Sequence, residues 1–315
     1  MCENRPHIQN IQEIYNKYRK VRIAVFNEAT RPENNHNCQH MGNQVLLRTN
    51  VENICAGANL ANFNDKADNA RLCLWNHLWT KIRYAGIGAN AAGAEINEIA
   101  NLFDNYNWFS DQGWDTDEEI FNHYFKKTGP FEGLTFVRNR RKLAMTINVA
   151  RQFRAYFEQH RDANAIDFVN PNMDQNVFNI HNHLMNNIGY RADLTALHFM
   201  MDVGFPVIKP DLVISRLCLD WGWLHFAVPD LPPNLTREDL MGRGNYGGKF
   251  KYTSPIIYRP IIELAQNISA GITRQDLHND IGWATENPIR EFDIFIVKAG
   301  QLPEAHFGIA RRIFN

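Results

Sequence analysis

The sequence predicts a mostly α-helical protein with eight or more helices. Three observations carry this. Apolar residues return every three or four positions along most of the chain. Asn, Asp, Pro and Gly stand where helices would start and stop. No convincing series of alternating apolar and polar residues marks a strand series.

The elements follow in order. Residues 1–20 carry a helical stripe through Ile8, Ile11, Ile14 and Tyr15. Residues 28–42 are Asn-rich and loop-like. From Asp68 to Tyr84 the residues Leu72, Leu74, Trp75, Leu78, Trp79 and Ile82 predict a buried or amphipathic helix. Gly86, Gly88 and Gly93 break the next stretch, Glu95 to Phe103 reads as a helix, and 105–117 as a loop. Leu134 to His160 opens on a basic run, Arg138 to Lys142, and continues with an apolar stripe. Asp174–Asn187 and Asp193–Val203 read as two helices joined by a turn at Gly189. A third begins at Asp211 and runs toward Trp221 and Trp223. Pro229, Pro232 and Pro233 mark a loop, and 242–252 is glycine-rich. Pro255–Gly271 and Asp276–Ala284 are helical. Asn287-Pro288 supplies a cap followed by a first-turn proline, with Gly300 as the expected C-terminal cap. Asp293 to Val297 could pass as a strand, but the flanking caps favour helix.

Bulk composition narrows the function classes. With 33 Lys+Arg against 34 Asp+Glu, the net charge of −1 gives no overall field that would draw the chain to nucleic acid. A nucleic-acid face would have to be a local patch. No apolar run of membrane-spanning length occurs, and the first residues lack the apolar core of a signal peptide. The five cysteines (Cys2, Cys38, Cys55, Cys73, Cys218) are odd in number and form no Cys-x-x-Cys pair. Reduced thiols and a cytoplasmic location are expected. His36-x-Cys38-x-His40 lacks the spacing of a zinc site, so no metal is expected. Ser-nucleophile, P-loop and paired metal-site signatures are missing, and Gly242-x-Gly244 is no dinucleotide fingerprint.

The most informative stretch is Ile188 to Arg216. A glycine turn at Gly189 precedes one helix, and Gly204 closes it. Phe205-Pro206 and Lys209-Pro210 then deliver a single acid, Asp211, to a helix start. Asp211 lies 22 residues beyond Gly189 and is followed by Arg216. Alone, Asp211 suits an ordinary helix cap. The joint pattern resembles the helix-hairpin-helix DNA glycosylases, nearest the alkyladenine branch. Arg140-Arg141-Lys142 and Ala150-Arg151-x-Phe153 resemble the basic segment that precedes the hairpin there. The strong part of the resemblance covers residues 134–217. Where the family has a second hairpin glycine this chain has Arg191, and the bacterial zinc pattern is missing.

The resemblance implies a two-lobed helix-hairpin-helix bundle. Residues 1–65 would be an N-terminal extension and 66–225 the glycosylase core. Residues 226–315 would be C-terminal helices packing with the N-terminal lobe, with the active cleft between lobes. It implies Asp211 as the catalytic carboxylate. The DNA contacts would come from Gly189, Tyr190, Arg191, Lys209, Arg216, Arg140 and Lys142. Arg243, Lys249 and Lys251, interleaved with Tyr246, Phe250 and Tyr252, also suit phosphate contact and stacking; a flexible linker explains that loop equally well. A flipped base needs a pocket, for which Trp75, Trp79, Tyr84 and Glu95 are candidates, with Glu98, Trp108 and Trp114 also at hand. Bifunctional members carry a lysine where Asp193 stands, and an aspartate cannot form a Schiff base. The expected protein is a monomeric, monofunctional enzyme without cofactor that leaves an abasic site in double-stranded DNA. Its substrate would be a hypermodified phage base, such as glucosylated hydroxymethylcytosine, in antiviral defence, or an alkylated purine in repair. A helix-hairpin-helix protein that binds DNA without catalysis is the alternative.

Overall fold

The computed structural model describes residues 8–29, 43–84, 92–94, 96–97, 140–190 and 192–301. Among these, every regular element is helical. The chain divides into two compact units, one made of Met1–Ala58 with Pro206–Asn315, the other of Asn59–Phe205. The expected core at 66–225 is therefore split. Residues 206–225, with Asp211 and Arg216, belong with the chain ends.

The first unit contains α1 (Ile11–Glu28), α2 (Gln44–Gly57), α7 (Leu212–Asp220), α8 (Trp223–Ala227), α9 (Arg237–Leu240), α10 (Pro255–Gly271), α11 (Arg274–Ile281) and α12 (Pro288–Gln301). Asn10 caps α1 by accepting from the Glu13 N–H. The inward stripe of Ile14, Tyr18, Val21 and Val25 continues beyond the expected 1–20 segment, and the helix continues with it. Helix α2, which the sequence pattern does not announce, is capped by Asn43 and buries only Leu47, Val51 and Cys55.

A fully buried cation holds α1 to the C-terminal helices. Arg22 Nε donates to Glu291 Oε1 at 2.5 Å. Its Nη2 donates to the Trp283 carbonyl at 2.7 Å and its Nη1 to the Leu277 carbonyl. Glu291 Oε2 accepts the Thr285 N–H at 2.8 Å. The guanidinium also lies 5.3 and 5.4 Å from the ring centres of Trp283 and Phe295. Both charges are wholly enclosed, so each depends on the other for compensation.

Helix α12 crosses α7 tightly. The expected cap at Gly300 is instead inside α12, which continues to Gln301. A Cβ on Gly300 would fall 2.2 Å from Val213 Cγ1 and 3.0 Å from Leu217 Cδ1. The glycine serves close helix approach, a demand invisible in a linear pattern. Asn287 does cap α12, accepting from Arg290 N–H, and its amide donates to the Ala58 carbonyl.

The second unit contains α3 (Asp68–Tyr84), α4 (Arg140–Gln159), α5 (Val177–His183) and α6 (Asp193–Val203). Helix α3 packs against both α4 and α6. Trp75 meets Phe153 at 5.7 Å, and Phe153 meets Phe168 at 5.0 Å. Such buried rings contribute on the order of 2–3 kcal/mol each. The first hairpin helix is shorter than the expected Asp174–Asn187. Asn176 caps it, because the Asp174 carboxylate is engaged by the Asn176 N–H and the Asn179 amide. A π turn at Leu184–Ile188 completes it.

Arg22→Ala should destabilise the protein by about 3–5 kcal/mol, because Glu291 would be left buried and uncompensated. Arg22→Met with Glu291→Leu should recover most of that loss. Urea unfolding of the three proteins measures both, and a single-variant loss below about 1 kcal/mol contradicts the assigned role.

Candidate nucleic-acid site

Asp211 is the N-cap of α7. Its Oδ1 accepts from the Val213 and Ile214 N–H groups at 2.9 and 3.2 Å. Among the described residues, Oδ2 accepts no hydrogen bond. The carboxylate is half-buried. One oxygen thus fixes the group while the other stays available, so capping and chemistry do not compete. Pro210 precedes it, and the Lys209 carbonyl accepts the Asp211 N–H at 2.7 Å. Lys209 is itself half-buried.

Arg216 is half-buried on the same helix. Its Nη2 donates to the Met241 sulfur at 2.9 Å, and its Nε is buried without a partner. A thioether is a weak acceptor, so this guanidinium retains unspent donors suited to an anion. The contact also joins α7 to the basic loop that follows α9.

That loop is pinned rather than linker-like. Asp239 is wholly buried. It accepts from the Thr236 N–H at 2.8 Å, the Thr236 hydroxyl at 2.6 Å and the Tyr246 N–H at 3.3 Å. Burial works against its ionisation, but hydrogen bonds from Thr236, Tyr246 and Asn245 prevail and hold its carboxyl below the usual range. A Cβ on Gly244 would lie 2.0 Å from Asp239 Oδ1, so the loop passes close only because Gly244 has no side chain. Arg243 and Lys249 are exposed, Lys251 half-buried. Lys249 Nζ sits 5.0 Å from the centre of the Phe250 ring. Stability from Asp239 is complete above its unfolded pKa and fades only as pH falls through the lower folded one.

In the second unit, Gly189 adopts φ +91°, the left-handed conformation expected of the turn. The N–H groups of Gly189 and Tyr190 both donate to the Leu184 carbonyl at 3.0 Å. Neither is left for a phosphate, because the π turn consumes them. Helix α6 starts beyond them at Asp193, with Ala192 as its N-cap and no side-chain cap bond. Asp193 is therefore the first helical residue and not the cap. Gly204 closes α6 in the left-handed region.

Several expected contacts are structural. Tyr190 is buried, its hydroxyl donating to the Leu78 carbonyl at 2.7 Å. Its ring is core, not a DNA contact. Lys142 is buried too, and its Nζ donates to the Arg83 carbonyl at 2.7 Å, capping the end of α3. Trp75 and Trp79 are also enclosed, and Trp79 Nε1 donates to Asn76 within α3. Apolar spacing alone does not separate a core tryptophan from a pocket wall. Tyr84 remains half-buried, beside His198 and Lys81. Arg191, Glu95, Glu98, Trp108, Trp114, the side chain of Arg140 and His36-x-Cys38-x-His40 lie outside the described residues.

His181 and His183 place their Nε2 atoms 3.3 and 3.2 Å from the Asp193 and Phe168 carbonyls, so both rings contact main chain. Burial pushes the Cys55 thiol up to about 11 and the Cys218 thiol to about 12, which makes both unreactive. Among the described residues, no group of His, Cys, Asp and Glu could hold a metal ion, and no helix is long and apolar enough to cross a membrane.

No protein-family model matches the chain. A search of curated proteins finds no match, and neither does a search of solved structures.

Asp239→Ala should free the loop without unfolding the unit. Trypsin at neutral pH should then cut after Arg243, Lys249 or Lys251 at least about tenfold faster, since local opening governs cleavage. Equal cutting of both proteins would show that another interaction holds the loop.

Proposed function

We propose that this protein is a monofunctional DNA glycosylase, acting on a modified base turned out of double-stranded DNA. The observation that carries the reading is the divided Asp211 carboxylate, with Oδ1 on the α7 N–H groups and Oδ2 accepting no hydrogen bond among the described residues. The sequence context supports it: a left-handed glycine turn, a second helix closed by Gly204, and an acid 22 residues beyond Gly189.

The chemistry follows from the charge. As the C1′–N bond breaks, the electron pair leaves with the base and positive charge gathers on the deoxyribose. The free oxygen of Asp211 stabilises that cation. Water adds to C1′, and its proton is taken up by the carboxylate or solvent. A base that leaves as an anion receives that proton back through solvent, an alkylated purine that is already cationic leaves neutral, and an abasic site remains. Asp193 stands where a Schiff-base lysine would be needed for strand cleavage, so the reaction stops there. Arg216 and the exposed cations Arg243 and Lys249 supply phosphate contacts on a chain that has no net positive charge. The substrate class is a hypermodified base, such as glucosylated hydroxymethylcytosine of phage DNA, or an alkylated purine. The competing reading, a helix-hairpin-helix protein that binds DNA without catalysis, draws on the same cap, because capping alone accounts for Oδ1.

Asp211→Asn separates the two. Asparagine caps as well as aspartate, so stability should move by less than about 0.5 kcal/mol while excision falls by about a hundredfold or more. Duplexes that are glucosylated, methylated or unmodified, probed by alkaline cleavage at abasic sites, measure it. Wild-type-like excision by Asp211→Asn removes the catalytic assignment. Unchanged binding with no excision by either protein favours the binding-only reading. Borohydride should trap no stable adduct.

Replacing Arg243, Lys249 and Lys251 together by Ala should weaken binding to all sequences alike. It should also flatten the dependence of log K on log salt by roughly one for each phosphate that the three cations neutralise. An unaltered slope takes the loop out of the interface.

A further inference from the structure

Resting on the reading of Arg216 as a phosphate contact, we infer that Met241 gates that contact: its thioether holds Arg216 until a phosphate oxygen displaces it. Arg216 stands one turn before Asp220 on α7, the spacing at which an arginine and a carboxylate pair along a helix. Asp220 is taken instead by Arg237 of α9, whose Nε donates to Asp220 Oδ1 at 3.0 Å and whose Nη2 donates to Oδ2. The Asp239 carboxylate of α9 is filled by Thr236 and Tyr246. Among the described residues, no carboxylate pairs with Arg216. The acceptor it has is Met241 Sδ, 2.9 Å from Nη2, while its Nε is buried without a partner. A half-buried guanidinium is costly to leave without a counter-charge. An anionic ligand supplies that counter-charge, with charge-assisted hydrogen bonds.

The main chain holds Met241 in this position. Its N–H donates to the Arg237 and Glu238 carbonyls at 3.2 and 3.1 Å, and the Gly242 N–H donates to the Asp239 carbonyl at 2.9 Å. The Tyr252 N–H closes the loop on the Leu240 carbonyl at 2.9 Å. A Cβ on Gly242 would come 3.5 to 4.0 Å from the Lys251 stem, so Lys251 runs along the residue next to Met241. Arg216 and Lys251 therefore reach one dipeptide from two elements. Methionine suits a gate there. Its sulfur accepts weakly, enough to orient the guanidinium in the free protein. It gives way to a charged oxygen, whose hydrogen bonds are shorter and roughly twice as strong as neutral ones. An amide oxygen at the same place would compete with phosphate and keep the arginine. The Asp220–Arg237 pair stops the carboxylate on α7 from doing the same.

The test uses the full chain. Met241→Gln puts a strong acceptor where the sulfur stands, and Met241→Leu removes the acceptor while keeping the volume. Affinity for a DNA duplex is measured across a salt series. Met241→Gln should bind about tenfold more weakly, with a salt slope lower by about one. Arg216→Gln should lose as much, and the two changes together no more than either alone. Met241→Leu should bind at least as tightly as the wild type. Equal weakening by Met241→Leu and Met241→Gln marks a merely structural methionine and overturns the inference. So does wild-type binding by Met241→Gln. A second measurement follows the Nε–H resonance of Arg216 in protein with nitrogen-labelled arginine as inorganic pyrophosphate is added. The resonance should move in the wild type, and at no higher concentration in Met241→Leu. A silent Arg216, or a Met241→Leu protein that needs more pyrophosphate, overturns the inference. This measurement serves if the glutamine variant does not fold. A wild type that binds no duplex sinks the DNA reading instead, and the pyrophosphate titration still decides whether Arg216 takes an anion from behind Met241.

Discussion

One buried ion pair organises the unit that carries Asp211. Arg22 and Glu291 stand 269 residues apart and are both sealed from solvent. Every nitrogen of the guanidinium has an acceptor, and the second carboxylate oxygen has the Thr285 N–H. That satisfaction is what makes the pair tolerable, because either charge alone in an apolar interior would be driven out or neutralised. Its consequence is architectural. It fastens α1 to α11 and α12, and α12 presses on α7 through Gly300. The cap position of α7 is Asp211, so a buried cation in the first helix underlies the placement of the proposed reacting acid.

The candidate site shows the same economy of polar groups. Asp211 uses one oxygen for the helix and leaves the other. Asp239 uses buried oxygens to gather the loop that carries Arg243, Lys249 and Lys251. In each case an acid committed to backbone N–H groups places something else: a second oxygen, or a set of cations.

Much of the helical layout is legible in the sequence, for physical reasons that are local. Asn287 caps because a short polar side chain reaches the first free N–H groups of a helix, whereas the sequence pattern does not pick out the caps at Asn10, Asn176 and Thr273. Gly189 and Gly204 mark turns because only glycine enters the left-handed region without strain. Asp211 is legible through its spacing from Gly189. The pocket residues are not. Trp75 and Trp79 share the spacing of any buried helical face, and only their neighbours, Phe153 among them, show that they are core. Lys142 looks like part of a basic surface run until the end of α3 arrives beside it.

The sequence by itself determined that the described chain is helical, where several helices begin (Asp68, Asp193, Pro255 and Pro288 among them), and that a lone acid heads α7. Those properties depend on contacts within a few residues. Only the tertiary structure decided that Gly300 is a crossing point, that Tyr190 is buried, and that Lys142 closes the end of α3. Each of these depends on groups far apart in the chain, and burial and pairing at such separations leave no periodic trace in the order of residues.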